Sequence, residues 1–456
     1  MTAHSPARRD VAYRRFRTRA EFATGTLDGT ALDGDGVRLA GPVGELVYTD
    51  PHTGASGPYE YARWTSPPLA YGFAATEVIP SWTADTPDRT WIQVDLRGTT
   101  EAGTRTRWYT LARWAADDTG IRRTSVPAQA GPDGGVDADT FTATDGHALT
   151  ACQLRVTLLR PAGTAASPLL RSIGAAASRL PRRGAAAAAP GAAAGPGAAA
   201  EPGTGAEPGT GTEPGTGTEP GTGTEPGTGT EAGAGVGPGE DAEAGVTGAP
   251  GAAWGRVLDV PTFSQKTHDG HYPQWNGGGE AWCSATSTAM VLAYWRSGPT
   301  PADYAWVDPS DPHPWVDHAA RQCFDYAYHG AGNWPFNTAY AGRFGMEAFV
   351  TRLRALAEAE LFVAAGVPLI VSASYRRGQI PGLDYDTNGH LMVLVGFTGS
   401  GDPVLNDPYA PAEETVRKRV DRRLFEAAWL NASGGLVYVI HPASVPLPPA
   451  PAQANW

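Results

Sequence analysis

The middle of the chain is a long segment with too few apolar side chains to fold. Between Gly184 and Pro250 the composition is almost entirely Ala, Gly, Pro, Thr and Glu, and the unit Glu-Pro-Gly-Thr-Gly occurs five times with a period of six residues. Such a segment cannot bury enough apolar surface to offset the entropy of ordering it, and its repeat has no apolar face that could stack as a solenoid. We therefore predict a multidomain chain. A folded domain at 11–175 and a second at 253–445 are joined by a disordered Pro/Gly/Thr/Glu linker at 176–252 that acts as an extended tether.

The acidic character of the chain comes mainly from this segment. The 456 residues carry a formal net charge of −12, but the segment holds nine acidic and no basic residues, so the rest carries only about −3. So small a charge gives no strong field for a polyanion, and we expect no nucleic-acid partner. No stretch approaches the ~20 apolar residues of a membrane-spanning helix, so we expect no membrane span.

The first domain has the pattern of half-buried β-strands. Apolar and polar residues alternate along Trp91–Arg97, where Ile92, Val94 and Leu96 would face inward, and again along Cys152–Leu158. Clusters of Gly, Pro, Asp and Thr supply turns at short intervals. The pattern predicts an all-β sandwich.

Aromatic residues are concentrated in this domain, and they leave its role open. Core packing is one explanation. Exposed rings that bind sugar or peptide are the other, which would make a cell-wall or carbohydrate ligand the partner of this domain. The residues are Tyr48, Tyr59, Tyr61, Trp64, Tyr71, Phe73, Trp82, Trp91, Trp108, Tyr109 and Trp114.

In the second domain, Cys283 begins a segment that favours a buried helix. A flexible run, Asn276–Gly279, precedes it, and Cys283–Trp295 contains good helix formers with no Gly or Pro. Ser284 and Thr286 are candidate capping residues. A thiol at a helix amino terminus is biased towards the thiolate, which is the nucleophilic form. An inert core cysteine is the alternative interpretation of this helix taken alone.

Two later segments supply partners for the thiol. His390 stands at the head of the apolar run Asn388–Phe397, which predicts a buried strand, and Val404–Pro408 predicts a second, short strand. The glycine-containing turn between them favours a hairpin that brings Asp407 beside His390. The set Cys283, His390 and Asp407 would then be a nucleophile, a base and a residue that orients the base.

These segments together resemble a known family, the C39-like cysteine peptidases, which have a papain-like fold. The resemblance covers roughly Val257 to Ile440. It rests on Val260–Gln265, Trp282–Ser287, Gly389-His390 and Asn406–Pro408, which occur in the order of the family. It implies a C-terminal α+β papain-like domain in which Cys283 is the nucleophile, His390 the general base and acid, and Asp407 the orienting residue.

The resemblance also implies a glutamine as the oxyanion-hole donor. Gln265 ends a strand-like segment and is the preferred candidate. It lies farther before Cys283 than is usual in the family, and Gln274 lies nearer, so the choice between the two stays open.

The remaining elements of the second domain follow from composition and periodicity. Trp315–Tyr328 and Met346–Ala365 are predicted helices, Gly330–Asn337 a loop whose two aromatic residues line a substrate cleft, and Val367–Ala373 a strand.

Histidines and the other cysteines are not expected to carry chemistry. No Cys-x-x-Cys or His-Glu-x-x-His pattern occurs, so no metal and no cofactor are predicted. The histidines would be exposed in loops. Cys152 and Cys323 lie in separate domains, so no disulfide is expected between them. The histidines concerned are His268, His271, His313, His318 and His329.

The function expected from these features is hydrolysis of a peptide or amide bond by a cysteine peptidase acting on a peptide or protein. Acyl transfer to an amine, as in a transglutaminase-like enzyme, and a non-catalytic cell-wall or carbohydrate-binding protein are the alternatives. The tether and the resemblance favour an extracellular or cell-surface location, whereas the first residues, Met1–Asp10, show no apolar signal segment.

Overall fold

The computed structural model describes residues 9–181 and 251–456. The predicted linker therefore lies almost wholly outside the described residues. At its first boundary, the last strand of the first domain continues to Arg179. Ala175, Ala176 and Ala177 in this strand are buried between neighbouring strands. Small residues that are buried on both faces have no alternating pattern, which is why this strand end was not predicted.

The first domain is all-β apart from one helical turn, as predicted. Its elements are β1 (Asp10–Phe16), α1 (Arg19–Phe22), β2 (Thr26–Asp28), β3 (Thr30–Asp33), β4 (Gly36–Leu39), β5 (Gly44–Thr49), β6 (Ser56–Thr65), β7 (Leu69–Ala75), β8 (Glu77–Asp85), β9 (Trp91–Thr100), β10 (Tyr109–Trp114), β11 (Thr124–Ser125), β12 (Gly134–Asp137), β13 (Thr140–Ala143), β14 (Leu149–Pro161) and β15 (Leu169–Arg179).

These strands form two antiparallel sheets that share one core. The seven-stranded sheet contains β1, β3, β4, β8, β12, β13 and β15, and the remaining strands form the eight-stranded sheet. Trp82 from the first sheet and Trp64 from the second belong to the same buried cluster. The alternation along β9 is as predicted, since Ile92, Val94 and Leu96 are all fully buried.

Most of the aromatic residues of this domain are core residues. Eight of the eleven are buried, and Tyr61, Phe73 and Trp108 are half-buried. The ring of Trp108 lies between the guanidinium groups of Arg97 and Arg155, at 4.4 and 4.2 Å. Core packing therefore accounts for most of the aromatic content, and a carbohydrate or cell-wall ligand stays a prediction.

The second domain contains helices and one six-stranded antiparallel sheet in the order β16-β21-β17-β18-β19-β20. After a 3-10 turn (Gln265–His268), its elements are α2 (Cys283–Tyr294), α3 (Pro314–Cys323), α4 (Trp334–Gly342), β16 (Met346–Arg352), α5 (Leu356–Ala364), β17 (Leu369–Tyr375), β18 (Thr387–Phe397), β19 (Pro403–Asn406), a second 3-10 turn (Glu413–Thr415), β20 (Arg417–Arg419), α6 (Arg422–Ser433) and β21 (Leu436–Pro442).

Two of the predicted elements were wrong and a third was too long. The single helix predicted at Met346–Ala365 is the strand β16 followed by the helix α5, because β16 pairs along its whole length with the distant β21. The predicted loop at Gly330–Asn337 contains the start of α4. There the side chain of Asn333 accepts a hydrogen bond from Phe336 N, and a proline occupies the first turn. The predicted helix at Trp315–Tyr328 ends early, at Cys323.

The two domains pack against each other within one compact unit. The ring of Tyr13 stacks on that of Phe349 with centroids 4.5 Å apart. Phe336 of α4 enters the core of the first domain and lies 6.1 Å from Trp82. Both aromatic residues of the predicted cleft loop, Trp334 and Phe336, are buried, so they do not line a cleft. The sequence predicted two domains held apart by a tether. In the described residues the domains instead share an interface, because each contributes apolar side chains to it.

The last residues of the chain complete this interface. Tyr13 N donates to Ala454 O at 3.0 Å, and Arg354 donates both to Val11 O and to Gln453 O. The ordered tail thereby extends beyond the predicted limit of the second domain at 445. Among the helices of the described residues, none is both long and apolar enough to cross a membrane.

Candidate active site

His390 and Asp407 face each other at one end of the β18–β19 hairpin. The two strands are antiparallel, with Val393 opposite Asn406. His390 near the start of β18 therefore lies next to Asp407, which directly follows β19. His390 Nε2 lies 2.8 Å from Asp407 Oδ1. The two side chains are almost completely buried, so this contact is shielded from water.

Cys283 lies close to the His390 ring. It is the first residue of α2, which packs against β18 through a hydrogen bond from Ser287 Oγ to Leu391 O at 3.2 Å. The sulfur and the imidazole of His390 are close enough for each group to shift the pKa of the other. Because Nε2 is engaged by Asp407, Nδ1 is the nitrogen available to the sulfur. The structure thus brings the three residues together around the His390 ring.

The first backbone N–H groups of α2 are not capped by any described side chain and lie near the sulfur of Cys283. Trp282 occupies the capping position, and its side chain forms no capping hydrogen bond within the described residues. The expected capping roles are wrong: Ser284 Oγ instead bonds to Tyr438 Oη at 2.9 Å, and Thr286 Oγ1 is buried with no partner in 9–181 or 251–456. The N–H groups of Ser284 and Leu391 face the sulfur of Cys283.

This environment favours the charged forms of all three groups. Burial raises the pKa of Cys283, but hydrogen bonds and the charge of His390 outweigh it and lower the pKa below its ordinary value. Burial lowers the pKa of His390, whereas Asp407 and Cys283 raise it to about 9. Burial raises the pKa of Asp407, whereas His390 and Lys418 lower it to about 2. The site can therefore hold a thiolate beside an imidazolium.

Asp407 has three further partners that the sequence analysis missed. Its Oδ1 accepts hydrogen bonds from Tyr385 Oη and Tyr409 N, both at 3.0 Å. Lys418 Nζ lies 3.0 Å from Oδ2 and forms an ion pair with it. A signal for Lys418 was present, because it is one of only two lysines in a chain with 35 basic residues. Its position on β20, beside β19, becomes visible only once the sheet is formed.

Gln265 lies next to this site, but its amide group is already engaged. Its backbone N–H donates to Pro408 O at 2.8 Å, beside Asp407. Its side-chain Nε2 donates to Gly279 O and Glu280 O, each at 2.8 Å, and its Oε1 is buried with no partner in the described ranges. The side chain therefore holds the loop that leads into α2. Gln274, the other candidate, is exposed.

The glycine run before α2 is a close-packed turn and not the expected flexible run. Gly277, Gly278 and Gly279 all have positive φ angles. A Cβ atom on Gly278 would lie 2.1 Å from His271 O, and one on Gly279 would lie 2.6 Å from the carbonyl atoms of His268. Glycine is required at both positions because the backbones approach too closely for any side chain.

The histidines of this domain are not all exposed, contrary to expectation. His268 is fully buried beside Asp317, and His318 is buried with Nδ1 2.8 Å from Tyr340 Oη. His271 and His313 are partly exposed, and His329 is exposed. His268 is buried beside Trp282 and Asp317 of α3, and His318 lies on the buried face of α3 itself, which no local pattern indicates.

The other two thiols lack the environment of Cys283. Cys152 and Cys323 are free and fully buried, whereas Cys283 retains accessible surface. Burial raises the pKa of Cys152 to about 12. Burial likewise raises the pKa of Cys323 far above its ordinary range. Neither thiol has a histidine partner of the kind that Cys283 has, so the conditions for thiolate formation are met at Cys283.

The fold and site define a two-domain protein in which an all-β domain precedes an α+β domain with a cysteine, a histidine and an aspartate in contact. Two family models match these domains: the Peptidase C39 N-terminal domain over residues 12–178, and the Peptidase C39 like family over residues 257–437. The chain therefore carries C39 peptidase-family domains on both sides of the predicted linker, which confirms the resemblance found in the sequence. The matches support a peptidase-like function in general.

Other comparisons add little. A solved structure described as a C39-like peptidase from Bacillus anthracis is 18% identical and covers 40% of this chain and 96% of its own, with a TM-score of 0.26. At that score nothing further rests on it. None of the curated proteins matches the chain.

Proposed function

We propose that the chain is a cysteine peptidase that hydrolyses peptide or amide bonds, with Cys283 as nucleophile, His390 as general base and acid, and Asp407 as the orienting residue. One observation carries the proposal: Cys283, at the uncapped start of a helix, lies next to the imidazole of His390, whose Nε2 is 2.8 Å from Asp407 Oδ1. This arrangement activates a thiol and keeps the imidazole in one orientation.

The reaction proceeds in two halves. The Cys283 thiolate attacks the scissile carbonyl carbon, and the His390 imidazolium then gives its proton to the leaving amine as the C–N bond breaks. A water molecule attacks the resulting thioester while His390 takes its proton, and the C–S bond breaks to release the acid and restore the ion pair. Asp407 keeps the Nδ1 side of the ring towards the sulfur throughout.

The oxyanion of each tetrahedral intermediate needs donors. We assign the backbone N–H of Cys283 and, as second donor, the side-chain amide of Gln265. Each such donor contributes about 3 kcal/mol to lowering the barrier. The Gln265 amide bonds to Gly279 O and Glu280 O, so one of these hydrogen bonds has to be exchanged for the oxyanion.

Two substitutions separate the roles of Gln265. If Gln265 is a donor, Gln265→Ala lowers kcat by about 10²–10³-fold in protein that is still folded. If it only holds the loop, thermal stability falls while kcat of the folded fraction stays within a few-fold. Gln274→Ala is the matched control and should leave both unchanged, because its side chain is exposed.

The central test is labelling with a thiol-directed peptide probe followed by mapping of the modified peptide. We expect labelling at Cys283 in the wild type, none in Cys283→Ala, and a loss of at least about 100-fold in rate in His390→Ala, since positioned acid–base groups contribute about 10²–10⁴-fold. Equal labelling of Cys283 and Cys323 in folded protein would refute the proposal. Product masses with and without an added primary amine then distinguish hydrolysis from acyl transfer.

A further inference from the structure

Four side chains away from the candidate triad converge on one buried point. His268 ends the 3-10 turn that begins at Gln265, and His271 lies in the loop after it. Asp311 precedes α3, and Asp317 lies within α3. One nitrogen or oxygen atom from each of these side chains lies within 4.8 Å of the others. The cluster therefore joins the loop before α2 to the start of α3.

Each imidazole approaches both carboxylates. His268 Nδ1 lies 2.8 Å from Asp317 Oδ2 and 3.3 Å from Asp311 Oδ2. His271 Nδ1 lies 3.0 Å from Asp311 Oδ2 and 3.3 Å from Asp317 Oδ1. Donor atoms around a tetrahedral ion with bonds of about 2.0–2.1 Å are separated by about 3.3 Å. The four imidazole–carboxylate separations of 2.8–3.3 Å come close to this value, and the set as a whole spans up to 4.8 Å.

The short distances are not accompanied by hydrogen-bond geometry. Within the described residues, both ring nitrogens of His268 lack a hydrogen-bond partner, and so do Asp311 Oδ2 and Asp317 Oδ2. Only the contact from His271 Nδ1 to Asp317 Oδ1 meets the criteria for a hydrogen bond. The other carboxylate oxygen of Asp311, Oδ1, is used to accept from His313 N. His268 Nδ1 thus lies 2.8 and 3.3 Å from the two carboxylates without hydrogen-bond geometry to either.

Burial and charge point in the same direction. The side chains of His268, Asp311 and Asp317 are completely inaccessible to solvent. Within the described residues neither carboxylate pairs with a lysine or an arginine, so the two imidazoles are the groups that offset their charge, and a bound cation would offset it further. His271 is 35% exposed, so it offers an entry route for an ion from solvent.

We propose that His268, His271, Asp311 and Asp317 bind one divalent transition-metal ion of the zinc type. Two imidazole nitrogens and two carboxylate oxygens match the ligands of Zn²⁺, whereas Ca²⁺ and Mg²⁺ prefer oxygen ligands alone. Because all four positions of a tetrahedral site would be filled by protein, the site is structural. The spacing His-x-x-His was visible in the sequence, but Asp311 and Asp317 lie 40 residues and more further along the chain.

The ion would fix the loop from which α2 starts. Gly279 packs directly on the backbone of His268, and the ring of Trp282 lies 6.2 Å from that of His268. Gln265, at the start of the same 3-10 turn, holds the other side of the loop. Metal binding at this site requires no peptidase activity, so it can be tested in an inactive variant.

The test uses full-length Cys283→Ala, in which the candidate nucleophile cannot bind metal. Chelator-treated protein is titrated with Zn²⁺ and, separately, with Co²⁺. We expect one ion per chain, a Tm that rises by several degrees at about 100-fold excess over Kd, and a tetrahedral Co²⁺ spectrum without a thiolate charge-transfer band. A stoichiometry well below one, or no change in Tm, would overturn the proposal.

Variants locate the ion. In the Cys283→Ala background, His271→Ala should weaken Zn²⁺ binding by at least about 100-fold, because even outer-shell changes weaken metal binding by about 10–100-fold. His147→Ala, which removes a half-exposed histidine of the first domain, is the matched control and should bind as before. Asp317→Asn should behave as His271→Ala does. Should Asp317→Asn fail to fold, the partly exposed His271 still decides the question, and unchanged binding in His271→Ala would place the ion elsewhere and refute the site.

Discussion

Two neighbours of the His390 ring, Asp407 and Cys283, carry negative charge when ionised. They determine how the site responds to pH. Nε2 lies 2.8 Å from Asp407 Oδ1, and the ring lies close to the sulfur of Cys283. Burial alone would lower the pKa of the imidazole, but Asp407 and Cys283 raise it to about 9. The ion pair is therefore the resting state across neutral pH.

We expect kcat/KM to follow a bell-shaped pH profile, and the rate at which a thiol probe labels Cys283 to rise along the same acid limb. Activity rises on the acid side as the thiolate forms, at a pH below the ordinary thiol value because the pKa of Cys283 is lowered. It falls on the alkaline side near pH 9, where the imidazolium loses its proton. Labelling with a midpoint at the free-thiol value of about 8.5 would contradict the ion pair.

The same pKa shift affects stability. Because the pKa of His390 is raised on folding, its contribution to stability is complete below the unfolded value of about 6.5 and is lost as the pH rises through about 9. The test compares the free energies of unfolding of wild type and His390→Ala from about pH 6 to about pH 10. The difference between the two proteins should shrink towards the alkaline end.

Lys418 is expected to stabilise the buried carboxylate of Asp407. Lys418→Gln removes the ion-pair partner of Oδ2 and should lower the free energy of unfolding by about 1–3 kcal/mol, measured by chemical denaturation. Arg419→Gln is the matched control on the same strand. Its pair with Asp402 is exposed, so its loss should cost at most about 1 kcal/mol. Equal losses in the two variants would show that Lys418 has no special role.

At the scale of elements, the turn before α2 depends on the close approach of two backbone segments. Gly270 N donates to Gly278 O at 2.9 Å, and Gln265 binds the carbonyls of Gly279 and Glu280. Helix α2 begins at Cys283, so the geometry of this turn determines where the sulfur lies relative to His390.

Two glycines of the turn separate backbone strain from steric overlap. Both have positive φ, but a Cβ on Gly277 would come no closer than 3.8 Å to Glu280, whereas one on Gly278 would lie 2.1 Å from His271 O. Gly277→Ala should cost about 1–2 kcal/mol from strain alone. Gly278→Ala should cost about 1–3 kcal/mol more, because the carbonyl has to move. Similar losses in thermal unfolding would mean that the turn is looser than described.

At the scale of the whole molecule, the two domains share buried polar contacts as well as apolar ones. Arg123 is fully buried and donates to Arg321 O at 2.7 Å and to Gln322 Oε1 at 3.0 Å. Ser125 N donates to Asp325 Oδ1 at 2.9 Å across the same interface. Groups so deeply buried are satisfied only while the domains stay together.

We therefore expect one cooperative unfolding transition for the two domains, and a large effect of Arg123→Ala. This change leaves several buried acceptors without a donor and should lower the free energy of unfolding by about 3–5 kcal/mol, measured by calorimetry. Arg122→Ala is the control, because that side chain is 30% exposed and should matter by at most about 1 kcal/mol. Two separate transitions in the wild type would contradict a shared interface.

What the sequence by itself determined is the part of the site that depends on local patterns. The helix at Cys283, the apolar strand after His390 and the short strand before Asp407 each follow from periodicity and turn residues within a few positions. A hairpin between adjacent strands then fixes the approach of His390 to Asp407. The all-β pattern of the first domain was equally local, as the burial of Ile92 and Val94 illustrates.

What only the tertiary structure decided are contacts between segments far apart in the chain. The segment of β16 was predicted to be helical. Its pairing partner, β21, lies some 90 residues later in the chain, so no local pattern indicates a strand. Lys418 reaches Asp407 only once β20 has joined the sheet, and Phe336 is buried only because the first domain covers it. The same holds for His268 and Asp317. Burial and pairing of this kind depend on which surfaces meet when the chain folds, and no short stretch of sequence encodes that information.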